Sequence, residues 1–163
     1  MPTFNLGFSQ KLINAAEIIK TNGLSDIEAQ RTVLYLSQLS IEISLKSILE
    51  KAGVTIKRLK ALSHNHQKLL NELETACEVE IEVTPGNKTY VSCSRLRAVT
   101  IDSKFSNATV GILLQAETAG ASIYPNQIRY GSTLQHFPAE VMLEAATKIL
   151  EWVNTHISGI RLK

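Results

Sequence analysis

The feature that most constrains the fold of this chain is a long segment, residues 25–52, whose apolar residues recur at helical spacing. The members of its main apolar stripe are Leu34, Ile41, Leu45, Ile48 and Ala52, and the stripe is widened by Leu36, Leu39 and Ile43. Ser25 and Glu28 have the spacing of a capping box, and Gly53 follows the last helical residue. Other elements must cover so wide an apolar face, so the segment predicts the central helix of a helical core.

Two further stripes run along the same predicted helix. One consists of small side chains that would let a neighbouring backbone approach closely: Ser37, Ser40, Ser44 and Ser47. The other is polar: Arg31, Tyr35, Gln38, Glu42 and Lys46. Glu42 and Lys46 have the favourable i and i+4 order for an ion pair, which is worth about 0.2–0.5 kcal/mol when it is exposed. The pair is more typical of a structural contact than of an acid and a base.

Four other segments have helical patterns. The first runs from about residue 8 to Thr21 and stops before Asn22-Gly23. The next helix follows a basic loop, is capped by Ser63 or Asn65, and reaches Ala76. The last two cover about residues 106–119 and the stretch from Pro138 to about residue 157.

The helical period is interrupted once, between the third and fourth helices. Apolar and charged residues alternate over residues 78–83, Pro85 to Lys88 form a turn, and residues 89–93 return as a second strand. Residues 94–101 stay open between a strand and a short helix capped by Ser94. We therefore predict a mainly α fold, an up-and-down bundle of about five helices with a β-hairpin insertion near residues 79–93, in a single domain over residues 1–163.

The composition restricts the class of protein further. No apolar run approaches the roughly 20 residues that span a bilayer, and the first residues lack the pattern of a signal peptide, so we expect a cytoplasmic protein with no membrane contact. Cys77 and Cys93 are expected to be reduced, buried thiols. No Cys or His pair has zinc-ligand spacing, and we expect neither a metal nor another cofactor.

The charge is unevenly distributed, although the net charge of +2 does not by itself indicate a nucleic-acid surface. A cluster of cationic residues surrounds His64 and His66: Lys57, Arg58, Lys60 and Lys68. Such a cluster is typical of a solvated loop, and it is also the pattern of a phosphate-binding surface. His66 is best explained as the start of a helix, and His64 is expected to be exposed.

Three short motifs, in their order and helical placement, resemble those of HEPN domains. They are Ile41-Glu42-Ile43-Ser44-Leu45-Lys46-Ser47-Ile48-Leu49 in the long helix, His66-Gln67-Lys68-Leu69-Leu70 at the start of the next, and Arg129-Tyr130 before the last helix. The family commonly carries Glu-x-x-Leu-Lys, His-x-x-Leu-Leu and an Arg-Tyr pair at these places. The resemblance covers about residues 8 to 157.

Several HEPN proteins are metal-independent endoribonucleases that use an Arg and a His separated by four to six residues. Arg129 and His136 enclose six residues, so the resemblance implies that His136 is a general base and Arg129 a phosphate-binding group. Gly131 and Pro138 place this pair on a loop. Arg58 and His64 make a second match, and Arg129 could instead pair with Glu42 while His136 bonds to backbone.

Two functions therefore stay open, a binding module and an enzyme. The resemblance implies a cleft that holds RNA, a nucleotide or a partner protein, in a toxin-antitoxin or defence setting, or one that cleaves RNA. The residues expected to bind the ligand are Glu42, Lys46, Arg58, His64, His66 and Tyr130. An antitoxin or a nucleotidyltransferase-like protein is the implied partner, and the surplus of apolar and small faces on the long helix, together with the family, favours a homodimer.

Overall fold

The computed structural model describes residues 2–101, 108–118, 125 and 138–163. The helices of this part of the chain are α1 (Leu6–Thr21), α2 (Ile27–Ala52), α3 (Ile56–Leu62), α4 (His66–Ala76), α5 (Val110–Thr118) and α6 (Ala139–His156). The strands are β1 (Cys77–Thr84), β2 (Asn87–Ser92) and β3 (Ile160–Leu162), which form an antiparallel sheet in the order β2-β1-β3. The prediction of a mainly α fold with a β-hairpin insertion is confirmed.

Helix α2 is the central element, and every residue from Ser40 to Leu49 is buried. It packs against α1, α4 and α6, and its end contacts β3. The apolar core that it shares with the other elements includes Ile13, Leu34, Leu45, Leu70, Val79, Leu113, Ile149 and Val153. A helix buried on all sides must bury its polar stripe as well as its apolar one, and this places charged side chains inside the protein.

The serine stripe of α2 is the contact surface for α1. The hydroxyl group of Ser9 lies 3.0 Å from the carbonyl oxygen of Ser40, 2.6 Å from the Ser40 hydroxyl oxygen and 2.7 Å from the Ser44 hydroxyl oxygen. Larger side chains at these positions would keep the two helices apart. The prediction that the small stripe admits a close neighbour is confirmed.

The start of α2 and the segment after it differ from the sequence prediction. Asp26, not Ser25, caps α2, because its carboxylate accepts the Glu28 N–H at 3.1 Å. The predicted basic loop contains helix α3, whose cap is Thr55 and whose apolar residues Leu59 and Leu62 are buried. The helix has about two turns and buries few side chains, so its apolar pattern is short and the lysines around it are typical of a loop.

Three later boundaries also follow from local contacts. Asn65 caps α4, because its side-chain oxygen accepts the Lys68 N–H at 2.9 Å. Residues Cys93–Leu96 form a 3-10 turn that is capped by Ser92, so the open segment 94–101 is neither a strand nor an α-helix capped by Ser94. Helix α6 begins directly after Pro138.

Strand β3 is a second element, after helix α3, that the sequence pattern does not indicate. Ile160 pairs with Val79 and Leu162 pairs with Cys77, so the segment that follows α6 returns to β1. Three residues are too few to display an alternating pattern. The predicted hairpin is correct, and the sheet has one strand more than predicted.

Candidate functional site

The polar stripe of α2 places an ion pair inside the protein. Glu42 and Lys46 are one helical turn apart, and the Lys46 Nζ donates to Glu42 Oε1 at 2.6 Å. Glu42 is 5% exposed and Lys46 is 6% exposed. The Phe4 ring covers the ammonium group, with Nζ 5.4 Å from the ring centroid. The free energy expected of an exposed pair therefore does not apply to this one.

His64 reaches the same carboxylate from the segment between α3 and α4. Its Nδ1 lies 3.1 Å from Glu42 Oε1 and 3.0 Å from Glu42 Oε2. Ser63, in the left-handed region with φ of 55°, precedes it and ends α3. The His64 side chain is 52% exposed, whereas the Glu42 side chain is 7% exposed. The imidazole thus connects a buried carboxylate to the surface.

His66 lies beside this pair at the first position of α4, and it is 5% exposed. Burial lowers the pKa of its imidazole from the ordinary 6.5 to about 4. The negative charge of Glu42 and a hydrogen bond to the Gln38 backbone act in the opposite direction, but they do not compensate for the loss of solvation. His66 is therefore a neutral group of the protein interior at physiological pH.

We call this group of four side chains the Glu42 cluster; its members are Glu42, Lys46, His64 and His66. Removing one partner of a buried ion pair costs about 3–5 kcal/mol, because the other charge is left uncompensated. Buried ionisable groups that include an imidazole of strongly shifted pKa are more frequent at functional sites than elsewhere. The arrangement can hold an imidazole in one orientation at the surface, which serves both anion binding and proton transfer.

Cationic side chains lie on the two helices next to the cluster. Lys57 and Lys60 of α3 and Lys68 of α4 are exposed, and none of them forms an ion pair within the described part of the chain. Arg58 is different, because its guanidinium donates to both carboxylate oxygens of Glu72 at 3.0 and 2.6 Å. Arg58 thus ties α3 to α4.

The alternative catalytic pair of Arg58 and His64 is not brought together by these contacts. Arg58 is held by Glu72, and His64 is held by Glu42 on a different helix. Each of the two side chains is therefore oriented by its own carboxylate. Arg58 has a structural role that the sequence analysis did not assign to it.

Arg129, Tyr130 and His136 lie outside the described residues. Three expectations therefore stay predictions: that Arg129 and His136 converge, that Arg129 pairs with Glu42, and that Tyr130 binds the ligand.

The sequence analysis identified every member of the Glu42 cluster and the pairing of Glu42 with Lys46, but not the contact between Glu42 and His64. The Glu42–His64 contact joins residues 22 positions apart in the chain, and no local pattern encodes such a contact. One feature of the sequence is consistent with such a contact. Glu42 has apolar residues on both sides in the long helix, and a carboxylate that becomes buried there needs polar partners.

The described residues contain neither a metal-binding cluster nor a helix that could span a membrane. No group of three or more His, Cys, Asp or Glu side chains is arranged to hold a metal ion in residues 2–101, 108–118, 125 and 138–163. In the same part of the chain, no helix combines the length and the apolar character that crossing a bilayer requires.

Comparison with known proteins adds no relative, because no protein-family model, no curated protein and no solved structure matches this chain.

Proposed function

We propose that this protein is an HEPN-like module that binds single-stranded RNA, with the strand contacting His64 at the surface of the Glu42 cluster. The observation that carries the proposal is the half-exposed imidazole held by a buried ion pair. The proposal includes a toxin-antitoxin or defence setting, a cytoplasmic location, a homodimer, and an antitoxin or nucleotidyltransferase-like protein as partner.

The distribution of charge favours an RNA strand over a single nucleotide. Glu42 and Lys46 pair with each other, and the helices before and after His64 carry three exposed lysines: Lys57, Lys60 and Lys68. Two of these lysines lie on α3 and the third lies on α4. A chain of phosphates can contact separated cations in turn, whereas one nucleotide presents its phosphates at a single place.

Fluorescence anisotropy with a labelled single-stranded RNA, in the presence of a metal chelator, tests the proposal. Replacing Lys57, Lys60 and Lys68 by Gln should weaken binding and reduce the slope of log affinity against log salt by about two to three, since each lost phosphate contact releases one counterion fewer. The control replaces the same number of lysines on α1 and α6, namely Lys11, Lys20 and Lys148, of which Lys20 and Lys148 pair with Glu17 and Glu151.

Two results would contradict the proposal. One is the absence of RNA binding at low salt. The other is an equal loss of affinity in both triple variants, which would indicate non-specific attraction to a basic protein. Capture of a protein partner through the intact lysine surface, without RNA binding, would favour the protein-binding form of the module instead.

A second candidate function is metal-independent cleavage of RNA. It is favoured by the Glu42–His64 contact, because a carboxylate-bonded imidazole is a common arrangement for proton transfer. In the form that the resemblance implies, His136→Ala lowers the cleavage rate on the order of 10²-fold with little loss of binding. Arg129→Ala lowers both, because it removes a fork that matches phosphate oxygens. Cleavage assays in a chelator, run beside the anisotropy measurements, distinguish these outcomes.

A further inference from the structure

We infer that Cys77 and Cys93 form a redox modification site, at which a peroxide joins the two buried thiols in a disulfide bond. The site lies at the base of the hairpin, at the opposite end of α4 from His66, so the inference does not rest on RNA binding. Three features carry it: the register of β1 and β2, the shared core of the two side chains, and the short strand β3 beside Cys77.

The pairing of β1 with β2 brings the two cysteines opposite each other. The ladder ends at the pair of Glu78 and Ser92, and Cys77 and Cys93 are the next residues of the two segments. The backbone is still extended at Cys77, with φ −123° and ψ 155°, and at Ser92, with φ −61° and ψ 144°. Opposite residues of an antiparallel pair have Cα atoms about 4.5–5.5 Å apart. A disulfide requires Cα atoms about 4.4–6.8 Å apart, so the register gives the cysteines a spacing that a disulfide can bridge.

Both thiols lie on the same side of the hairpin, inside the protein. Val79 and Val91 are paired, and each cysteine is two residues away from one of them, so all four side chains share one face of the sheet. Cys77 and Cys93 are both fully buried and belong to one apolar core cluster. Burial raises the pKa of Cys93 to about 12, and negative charge on Cys77 contributes to this rise, as expected of neighbouring thiols.

Strand β3 pairs with the end of β1 that carries Cys77, and its opening is the route by which a peroxide enters. Leu162 lies opposite Cys77, and the Lys163 N–H donates to the Ala76 carbonyl oxygen at 3.0 Å. The strand has three residues, of which Ile160 is buried and the other two are exposed. An edge strand this short opens locally at a lower free energy than the core. Opening of β3 uncovers Cys77 while the helices stay folded.

The reaction transfers two electrons from the thiols to the peroxide. The Cys77 thiolate attacks one oxygen of hydrogen peroxide, a sulfur–oxygen bond forms, and the oxygen–oxygen bond breaks with its electron pair. The released hydroxide takes a proton and leaves as water, and Cys77 becomes a sulfenic acid. The Cys93 thiolate then attacks the Cys77 sulfur, the disulfide bond forms, and the second hydroxide leaves and is protonated to water. The two thiols supply both protons, and one peroxide yields two water molecules.

The experiment treats the folded, fully reduced protein with hydrogen peroxide, removes the peroxide, and alkylates the remaining thiols after unfolding. The expected product is a single chain that has lost two hydrogen atoms and carries no alkyl group. Peptide mapping should find the Cys77 and Cys93 peptides joined, and dithiothreitol should separate them. The melting temperature of the oxidised protein should rise by about 5 °C or more, because the bond restrains the unfolded chain. Cys93→Ser should give no such product, and the wild-type peptide map decides the result if this variant is not folded.

Leu162→Ala tests the route through β3. Loss of this side chain weakens the contact of β3 with β1, so the disulfide should form at least about threefold faster than in wild type. The matched control is Val83→Ala, which shortens another exposed apolar side chain of the same sheet, outside the residues of β1 that pair with β3. Its rate should equal that of wild type. Circular dichroism verifies that both variants are folded.

Four results would overturn the inference. The first is a folded protein that peroxide leaves fully reduced. The second is oxidation that stops at sulfenic, sulfinic or sulfonic acid on separate cysteines, which would mean that the two sulfur atoms do not reach each other. The third is a disulfide that forms only between two chains or only after unfolding in urea. The fourth is an equal rate for Leu162→Ala and Val83→Ala, which would exclude opening of β3 as the route. None of these results affects RNA binding, so the proposed function is tested independently.

Discussion

At the residue scale, the two histidines of the Glu42 cluster differ in their burial and therefore in their properties. His64 and His66 are two positions apart, yet one is half-exposed and the other is inside the protein. The buried imidazole is kept neutral because an imidazolium would lose its solvation, and the charge of Glu42 is already paired with Lys46. The neutrality of His66 should therefore be measurable as a dependence of stability on pH.

The first prediction concerns the pH dependence that His66 causes. Its pKa is about 4 in the folded protein and 6.5 when solvated, so between these values the unfolded chain binds a proton that the folded chain does not. The free energy of unfolding should fall as the pH falls from 6.5 to 4, by on the order of 3 kcal/mol, and His66 should add no further loss below that. Urea unfolding at several pH values measures this. Parallel pH profiles for wild type and His66→Gln would contradict it.

The second prediction concerns the two cysteines, both fully buried. Burial raises the pKa of Cys77 to about 11 and that of Cys93 to about 12, so the reactive thiolate is scarce at pH 8. Iodoacetamide should leave both thiols of the folded protein unmodified over a time that labels the urea-unfolded protein completely. Mass spectrometry reads the result. Equal labelling of folded and unfolded protein, or no thiol to label after unfolding without reductant, would contradict this.

At the element scale, elements with long periodic patterns could be predicted and those defined by few residues could not. The pattern of α2 repeats over its whole length, and the alternation in β1 is clear, so both were found. Helix α3 and strand β3 depend on a few buried side chains, such as Leu59 and Ile160, and short patterns resemble those of loops. The burial of Glu42 could not be predicted either, because it depends on which elements pack against α2.

The third prediction concerns the contact between α1 and α2. Ser44→Leu should push the helices apart where the Ser9 hydroxyl meets Ser44, at a cost of about 1–3 kcal/mol or more, because extra methylenes in a packed core force side chains and backbone to shift. Thermal unfolding measures the loss. Thr32→Leu, at an exposed position of α2, is the control and should stay within about 0.5 kcal/mol of wild type. Equal stability of the two variants would contradict the prediction, because it would mean that α1 and α2 are not closely packed at Ser44.

At the scale of the whole molecule, the structure changes the reason for expecting a homodimer. The expectation was based on the family resemblance and on uncovered faces of α2, but the chain itself buries every residue of α2 from Ser40 to Leu49. Large apolar side chains are exposed on several elements of the described residues, and two of them, Phe8 and Ile18, lie on α1 and are each exposed by more than half. Self-association through α1 is therefore the form of the dimer that we propose.

The fourth prediction is that the purified protein has twice the mass of one chain in light scattering at high concentration. Replacing Phe8 and Ile18 by Gln should shift it toward the mass of one chain without loss of helical content, because both side chains lie mainly in solvent in the single chain. A wild-type mass of one chain at all concentrations would refute the dimer. A dimer that is unaffected by the double substitution would place the interface elsewhere.

The measurement that tests the central claim most directly is the nuclear magnetic resonance of the histidine rings during addition of a short single-stranded RNA. The internal reference is His156, whose Nδ1 bonds the Trp152 carbonyl oxygen at 2.7 Å and whose ring stacks on Trp152. The His64 ring resonances should shift saturably with RNA while those of His156 stay in place. RNA that binds without moving the His64 resonances, or RNA that does not bind, would contradict the account.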